Sequence, residues 1–336
     1  MSRHEHQLVQ SIVYHGDDQR EELDLSFLIE ATFVETTTLD GPKLIIEYDD
    51  KEQFLRDDLA IKERAVFTVV LSDPVNQDAL NWETDWVVMT MPASEGGTIT
   101  FNLLLKSLHD LKQPSPNARF FVKEPVSKVL RQLVPDLPLD VGTFPIRLDF
   151  HLLPAQRPSR LIRQMAKELG ALVFIRRGTL VFRTLKELQE RAPTYLYHYN
   201  DTRQQYQIAQ YTLPNDSSLI EDLIQRRFVG WDDKKGMVYS GKYSAAPIEH
   251  SGVTSKFVLD NLSKIPIPVL DAYMLGNGGL RAGDVIEIVW NRSDLERPID
   301  ESLPTLIVIG LAAHSYKGKK YYNRIKGILD KHQLSI

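Results

Sequence analysis

Short runs of apolar, β-branched and aromatic residues, separated by turn residues, dominate the first hundred positions. The strand-like runs are FLIEATFVE, KLIIEYDD, RAVFTVVLSD, DWVVMTM and TITFNLL. Asp40, Gly41 and Pro42 supply turn chemistry between the first two runs. A short helical segment is expected around FLRDDLAI. The pattern predicts a first, compact β domain over residues 1–110.

The hydrophobic period changes between residues 111 and 194. Apolar residues recur at helical spacing in 125–133 and again in 158–169, and each stretch begins with a proline. Gly170 follows the second stretch, where a glycine commonly ends a helix. The next run, ALVFIRRGTLVF, predicts a hairpin that turns at Arg176, Arg177 and Gly178. These signals predict an α/β middle domain over residues 111–194.

The pattern returns to strands from residue 195 to 336. The runs are YQIAQYTLP, IQRRFVGWDD, KGMVYSGKY, DVIEIVWN and a long closing hairpin that turns at residues 316–319. Residues 245–275 form an irregular insertion, because Pro266 and Pro268 argue against the interior of a central strand. A helical turn is expected at 269–275. The fold class predicted is therefore β-rich α+β, with a β domain at each end.

The composition is typical of a folded, soluble globular protein. Hydrophobic residues make up 43% and charged residues 25%, and the net charge is −5 with a pI of about 6.0. This balance argues against a strongly basic surface for nucleic acid. The chain has no cysteine, which excludes thiolate catalysis and disulfides. No apolar targeting segment or bilayer-length run is visible, so no membrane anchor is expected.

The search for catalytic motifs finds none. There is no Gly-x-Ser-x-Gly elbow, no phosphate-binding glycine loop and no His-Glu-x-x-His. The carboxylate pairs at 49–50, 57–58 and 232–233 are interpreted as solvated charges, and Ser2-Arg3-His4 as a polar tail rather than a copper or nickel chelate. We predict no catalytic, cofactor or metal-binding residue. Two alternatives stay open: a tail-associated cell-wall hydrolase, and a carbohydrate-binding adaptor that uses Trp82 or Trp231.

Basic residues at the two hairpin turns are the candidate partner contacts. Arg176 and Arg177 occupy one turn, and Lys317, Lys319 and Lys320 occupy the other. Hairpin turns are commonly exposed, and arginine is favoured at interfaces.

Three segments resemble the tail-hub proteins of contractile-tailed phages, including the T-even phage hub and the hub portion of VgrG in type VI secretion. Residues 154–182 are similar to the helix that ends in glycine and continues into a hairpin. Residues 278–290 resemble the Leu-x-x-Gly-Asp strand start, met here by Leu280, Gly283 and Asp284. Residues 306–328 resemble the closing hairpin of the hub's second barrel, with His314 before the turn.

The resemblance implies that residues 1–110 and 195–336 are two tube-like β-barrel domains, joined by a small α/β domain at 111–194. It implies a structural, non-enzymatic homotrimer that joins a hexameric tail tube to a trimeric spike, with a channel through which DNA passes without specific binding. Tape-measure and baseplate wedge proteins are further expected neighbours. The expected location is the virion baseplate, after assembly in the host cytoplasm. VgrG chains continue into a needle whereas this sequence ends at Ile336, so the spike is expected to be a separate chain.

Overall fold

The computed structural model describes residues 8–16, 20–74, 76, 78–214, 226–240, 248–293, 296 and 298–330. The alternating runs of the first hundred residues become antiparallel strands, in the order β2-β1-β5-β6-β8-β4-β3, with β7 beside β8. A 3₁₀ turn at Leu25–Phe27 and a π turn at Phe54–Asp58 connect them. The elements are β1 Val9–His15, β2 Arg20–Glu22, β3 Leu28–Thr36, β4 Lys43–Asp49, β5 Val66–Ser72, β6 Asn81–Val88, β7 Ala93–Glu95, β8 Thr98–Leu105 and α1 Lys106–Leu111.

The middle region contains both helices predicted from hydrophobic spacing. The second of them buries Leu161, Ile162, Met165 and Leu169 and ends at Gly170, whose φ of 62° is left-handed. Strands that the sequence pattern did not indicate form a two-stranded sheet of β9 and β11, and β10 extends the hairpin into a three-stranded sheet. The elements are β9 Arg119–Pro125, α2 Val126–Leu133, β10 Leu139–Val141, β11 Arg147–Leu152, α3 Pro158–Leu169, β12 Ala171–Arg176, β13 Thr179–Thr184 and α4 Leu185–Gln189.

The last region contains a closed β-barrel of six strands. Its strands run in the order β14-β15-β19-β22-β21-β20 and return to β14. The remaining strands, β16 to β18, form a separate small sheet instead of joining the barrel. The elements are β14 Tyr195–Tyr199, β15 Gln207–Thr212, β16 Arg227–Asp232, β17 Gly236–Tyr239, β18 Ile248–His250, α5 Lys256–Leu262, β19 Pro266–Leu275, β20 Val285–Trp290, β21 Leu306–Lys317 and β22 Lys320–Asp330.

Apolar side chains fill the barrel. Every barrel strand contributes at least one buried residue to a single cluster, which includes Tyr197, Ile208, Ala272, Ile288, Ile309 and Ile325. An eight-stranded barrel has an interior just wide enough for its side chains or one small ligand, so six strands enclose a packed core. The barrel is therefore not itself a conduit.

Strand β21 belongs to both large β regions. Its residues 306–308 pair with β20 in the barrel, whereas residues 311–317 pair with β3 of the first sheet. The change of partner falls at Gly310, where the register also shifts against β22. A Cβ at this position would lie 2.8 Å from a methyl carbon of Ile328, so the crowded bulge suits glycine. Within the described residues, no strand pairing joins β1 or β2 to β3, so the first sheet is not closed as the barrel is.

The insertion around the two prolines differs from the prediction. Residues 266–275 form one continuous strand, β19, so the helical turn expected at 269–275 is wrong. The prolines lie at its start, where β22 is the neighbour, and β15 pairs only with residues 271–274. Proline is tolerated at the first residues of a strand and on an edge, which explains how the strand accommodates both. No helix in the described part of the chain combines the length and apolar character needed to cross a membrane.

Candidate functional site: the polar junction of the three regions

The β12–β13 hairpin carries its turn into the space between the first sheet and the barrel. The turn residues Arg177 and Gly178 have φ values of 45° and 77°. Two successive positive φ values are typical of a tight type I′ turn, which confirms the predicted hairpin. The Arg176 and Arg177 side chains are each only 15% exposed, so the exposure expected of this turn is wrong. Strand β3 of the first region covers the turn on one side, and the loop before β20 covers it on the other.

Arg177 binds both large β regions at once. Its backbone N–H and its Nε donate to the Glu35 carboxylate, over 3.1 and 3.4 Å. One guanidinium nitrogen donates to the carbonyl oxygens of Gly278 and Leu280, over 2.8 and 3.3 Å. The guanidinium also lies over the Phe33 ring, 5.7 Å from its centroid. One side chain thus connects β3 to the loop that precedes β20.

Glu35 is the buried acid of this junction. It is fully buried on β3, and burial raises the pKa of its carboxyl, while Arg177 opposes that rise. Glu35 was not among the site residues predicted from the sequence. A signal was present, because Glu35 shares the alternation parity of Ala31 and Phe33, which face the core.

Arg176 joins a second, adjacent ion network. It donates to the Asp284 carboxylate over 2.7 Å, and Arg281 donates to the other oxygen over 2.9 Å. Asp140 of β10 accepts from Arg183 and Arg191, over 2.7 and 2.8 Å. Burial raises the pKa of the Asp140 carboxyl, but these hydrogen bonds outweigh it and hold that pKa below its usual value. Asp284, which the sequence marks with Gly283 as the start of a strand, is therefore an ion-pair partner of the hairpin.

His314 lies at the centre of the junction. Its Nε2 is 3.0 Å from the Leu280 carbonyl oxygen, which can only accept, so Nε2 carries the proton. Its Nδ1 then has one lone pair, which the Tyr321 hydroxyl at 2.9 Å and the Asn323 side-chain amide at 2.8 Å share as donors. Burial, together with the nearby Arg177 charge, lowers the pKa of His314 to about 3. The imidazole is neutral and serves as a structural hydrogen-bonding group.

The glycine-rich loop before β20 is held in place by polar side chains. The backbone N–H of Asn277 donates to the Asn323 side chain, and its amide nitrogen donates to the Tyr197 hydroxyl over 3.1 Å. The backbone N–H of Gly278 donates to Asp73 of the first region. These bonds fix the carbonyl groups that Arg177 and His314 bind. The junction therefore has the character of a structural joint.

The second hairpin turn matches its predicted exposure. Lys317, Lys319 and Lys320 are all exposed, and Lys317 donates to Glu30 over 2.6 Å. The turn proper is Gly318 and Lys319, because Lys317 pairs with Lys320 at the strand ends. Partner contact at this turn stays a prediction.

The four tryptophans separate into core and surface residues. Trp86 and Trp290 are buried. The Trp82 ring packs against the Phe33 and Trp86 rings, with 5.8 Å between ring centroids in each pair. Trp231 is 64% exposed on the small sheet, opposite Met237. Of the two tryptophans considered for carbohydrate binding, only Trp231 offers a largely open face.

The paired carboxylates lie apart from the junction. Asp57 and Asp58 are exposed on the π turn, and the chain continues from Asp232 into the β16–β17 turn. Asp50 is only 4% exposed, so the interpretation of the 49–50 pair as solvated charge is wrong for this residue. Across the described ranges, no group of three or more acidic or histidine side chains is arranged to hold a metal ion. The tail at residues 1–7, with the considered Ser2-Arg3-His4 chelate, lies outside the described residues.

Comparison by sequence finds no matching family model and no matching curated protein. Comparison of the fold finds tail proteins. The 43 kDa tail protein of prophage MuSo2 from Shewanella oneidensis aligns with a TM-score of 0.60 at 13% identity, covering 97% of this chain and 99% of that one. A tail protein from Neisseria meningitidis MC58 aligns with a TM-score of 0.60 at 9% identity, covering 95% and 96%.

A third structure extends the likeness beyond phages. The E. coli c3393 protein is a component of the type VI secretion system with structural similarity to the T4 bacteriophage tail proteins gp27 and gp5. It aligns with a TM-score of 0.50 at 10% identity, covering 90% of this chain and 73% of that one. The chain therefore has the fold of phage tail and related secretion proteins, and the resemblance drawn from three sequence segments is confirmed at the level of fold.

Proposed function

We propose that this chain is a structural hub protein of a phage tail baseplate or a related injection machine. The observation that carries the proposal is the near-complete overlap, in both directions, with solved phage tail proteins. The overlap includes the joint as well as the barrel, so it concerns the architecture of the whole chain. One fold can host several functions, so assembly with the tail partners is the test of this role.

The proposed mechanism is geometric. Each chain contributes two β units of six principal strands, the first sheet and the barrel, which are fused through β21. A threefold axis applied to two such units places six around a ring. That ring would match the sixfold tail tube on one side and the trimeric spike on the other. In this proposal the first sheet acts as the second barrel-like unit, in the arrangement that the resemblance implies.

The channel for DNA would lie between the copies. The barrel interior is filled by buried side chains, so the passage has to run along the threefold axis. The net charge of −5 suits a passage that does not retain a polyanion. The proposed contacts are the spike and the tail tube, with tape-measure and wedge proteins as further neighbours. The proposed location is the virion tail, assembled in the host cytoplasm.

The polar junction explains how one chain could hold the first sheet and the barrel in a fixed relative position. The Arg177–Glu35 and Arg176–Asp284 pairs fix the hairpin to the first sheet and to the barrel together. A ring that adapts six to three needs its two units at a constant separation. We therefore assign Arg176 and Arg177 an indirect role, in which they position the units that meet partners.

Co-expression with the spike and tube proteins of the same tail operon tests the proposal. Light scattering of the purified complex should give three copies of this chain for each spike trimer, and the copies should be present in intact particles. The chain alone can be monomeric, so the spike has to be included. A chain that stays monomeric with both partners and is absent from particles would refute the proposal.

The proposed role is non-enzymatic, and a separate assay addresses it. Purified protein is incubated with peptidoglycan, alongside variants in the carboxylate pairs, such as Asp50→Asn and Asp58→Asn. We expect no turnover above the buffer control. Turnover that one of these substitutions abolishes would favour the hydrolase alternative.

A further inference from the structure

A cavity of about 410 Å³ opens beside the end of β4, between the 3₁₀ turn and the π turn of the first region. Its wall is strongly acidic. The carboxylates that line it are Glu21, Glu22, Asp24, Asp49, Asp50 and Glu52. Lys51 is the one cationic residue of the lining, and it pairs with Asp49 over 2.8 Å. The remaining negative charge favours a cationic ligand.

A buried carboxylate oxygen in this wall lacks a partner. Asp50 is only 4% exposed, and its Oδ1 accepts from the backbone N–H of Leu55 over 3.0 Å. Its Oδ2 is buried and has no hydrogen-bond partner within the part of the chain that the structure describes, and Asp49 Oδ1 is in the same condition. Buried polar groups in folded proteins are generally paired, because an unpaired one loses its water without replacement. Asp49 and Asp50 both line the cavity, so a donor bound there could pair with these oxygens after a small rotation of the carboxylates.

Aromatic faces stand beside the carboxylates. Phe27 is 50% exposed and Phe54 is 43% exposed, and both line the cavity. Phe27 also packs against Tyr48, with 6.2 Å between ring centroids. A bare metal ion does not suit such a wall, and the described residues contain no metal-ligand group of three. A planar guanidinium does suit it, since it stacks on aromatic rings and donates two parallel hydrogen bonds to a carboxylate.

We infer that this cavity is a binding site for the guanidinium of an arginine side chain presented by a protein partner. The guanidinium donates to the Asp50 carboxylate, whose covered Oδ2 turns toward the cavity on binding, and it stacks against Phe27 or Phe54. The arginine stem covers the apolar part of the wall, as the stems of long charged side chains do. The inference does not rest on the proposed hub role, because it concerns this cavity alone.

The test uses N-acetyl-arginine amide as the probe, with N-acetyl-citrulline amide as its neutral isostere, in ligand-observed NMR titrations of the full chain. A single side chain should bind weakly, with a dissociation constant on the order of 1–10 mM. Asp50→Asn should weaken binding by at least about tenfold, because a charge-assisted hydrogen bond is lost. Asp57→Asn is the matched control, since it removes the same charge from the neighbouring π turn outside the cavity wall.

A thermal melt separates a ligand site from a structural role. Asp50→Asn keeps an oxygen that accepts from Leu55, and it removes a buried unpaired charge, so the melting temperature should be equal or higher. If that variant fails to fold, Phe54→Ala takes its place, because Phe54 is partly exposed and its loss should weaken probe binding several-fold. The inference is overturned if citrulline amide binds as well as arginine amide, if Asp50→Asn leaves binding unchanged, or if N-acetyl-lysine amide binds as tightly as the arginine probe.

Discussion

The Arg177 backbone N–H and guanidinium both donate to the Glu35 carboxylate, although 142 positions separate the two residues. Glu35 is fully buried, and the Arg177 side chain is only 15% exposed. The same guanidinium also binds the carbonyl groups of the loop before β20. The pair therefore joins the first sheet, the middle hairpin and the barrel at one point, and its loss should be felt throughout the chain.

We expect Glu35→Ala to destabilise the protein by about 3 kcal/mol, because it leaves Arg177 charged and without its carboxylate in a largely dry site. Urea unfolding followed by circular dichroism measures the change. Glu124→Ala is the control, since Glu124 pairs with Lys128, whose side chain is 54% exposed, and should cost less than about 1 kcal/mol. Equal effects of the two substitutions would show that the junction pair does not hold the regions together.

Low pH should reduce the free energy of unfolding through the protonation of His314. Its folded pKa of about 3 lies below the unfolded value of 6.5, so the unfolded chain binds the proton first as the pH falls. Stability that is present above about pH 6.5 is then lost toward pH 3, at up to about 1.4 kcal/mol per pH unit. Glu35 has the opposite sign, because its raised pKa favours the folded state at low pH.

The His314 contribution is isolated by comparison with His314→Gln. The difference in unfolding free energy between the native protein and this variant should shrink steadily from pH 6.5 to pH 4.5, above the ordinary range of the carboxylates. His151 is exposed, so His151→Gln should leave the pH dependence unchanged. Parallel pH profiles for the native protein and His314→Gln would contradict the assignment.

The end of α3 should be intolerant of a side chain. Gly170 has a φ of 62°, and a Cβ there would lie 2.6 Å from backbone atoms of Asn261 and Leu262 in α5. Gly170→Ala should therefore cost more than about 2 kcal/mol, through backbone strain combined with overpacking. Gly236→Ala is the matched control, because Gly236 has a φ of 72° with open space around it, and strain alone should cost about 1 kcal/mol. Equal losses on thermal unfolding would show that the α3–α5 contact is loose.

Local signals predicted local structure well. The apolar spacing of 158–169 and the glycine at 170 gave α3 with its observed limits, and the Arg-Arg-Gly turn gave the β12–β13 hairpin. Both depend on residues within a few positions of one another, where hydrophobic period and backbone preference act directly. The fold likeness drawn from residues 154–182, 278–290 and 306–328 held for the same reason, because those segments keep their local motifs.

Long-range contacts could not be predicted from the pattern of hydrophobic and polar residues. The turn at Arg177 was interpreted as exposed, yet Glu35 covers it from far along the chain, and no local feature reports that contact. The division of β21 between β20 and β3 at Gly310 also depends on tertiary pairing. The prediction from the two prolines of β19 was wrong for a related reason. A proline destabilises a strand only where a neighbouring strand would need its missing N–H as a hydrogen-bond donor. Sequence patterns give the preference of a segment, and its partners decide the outcome.

The exposed lysines of the β21–β22 turn should act in assembly and not in folding. Lys319→Glu combined with Lys320→Glu reverses two charges on an exposed turn, so the change in unfolding free energy should stay within about 0.5 kcal/mol. If this turn contacts a partner, the same change should slow association and weaken the complex with the spike or tube protein, most clearly at low salt. Lys234→Glu with Lys235→Glu is the control, because it makes the same charge change on the exposed β16–β17 turn. Light scattering of the co-expressed complex should detect loss of assembly in the first variant alone, and intact assembly in that variant would remove the turn from the partner surface.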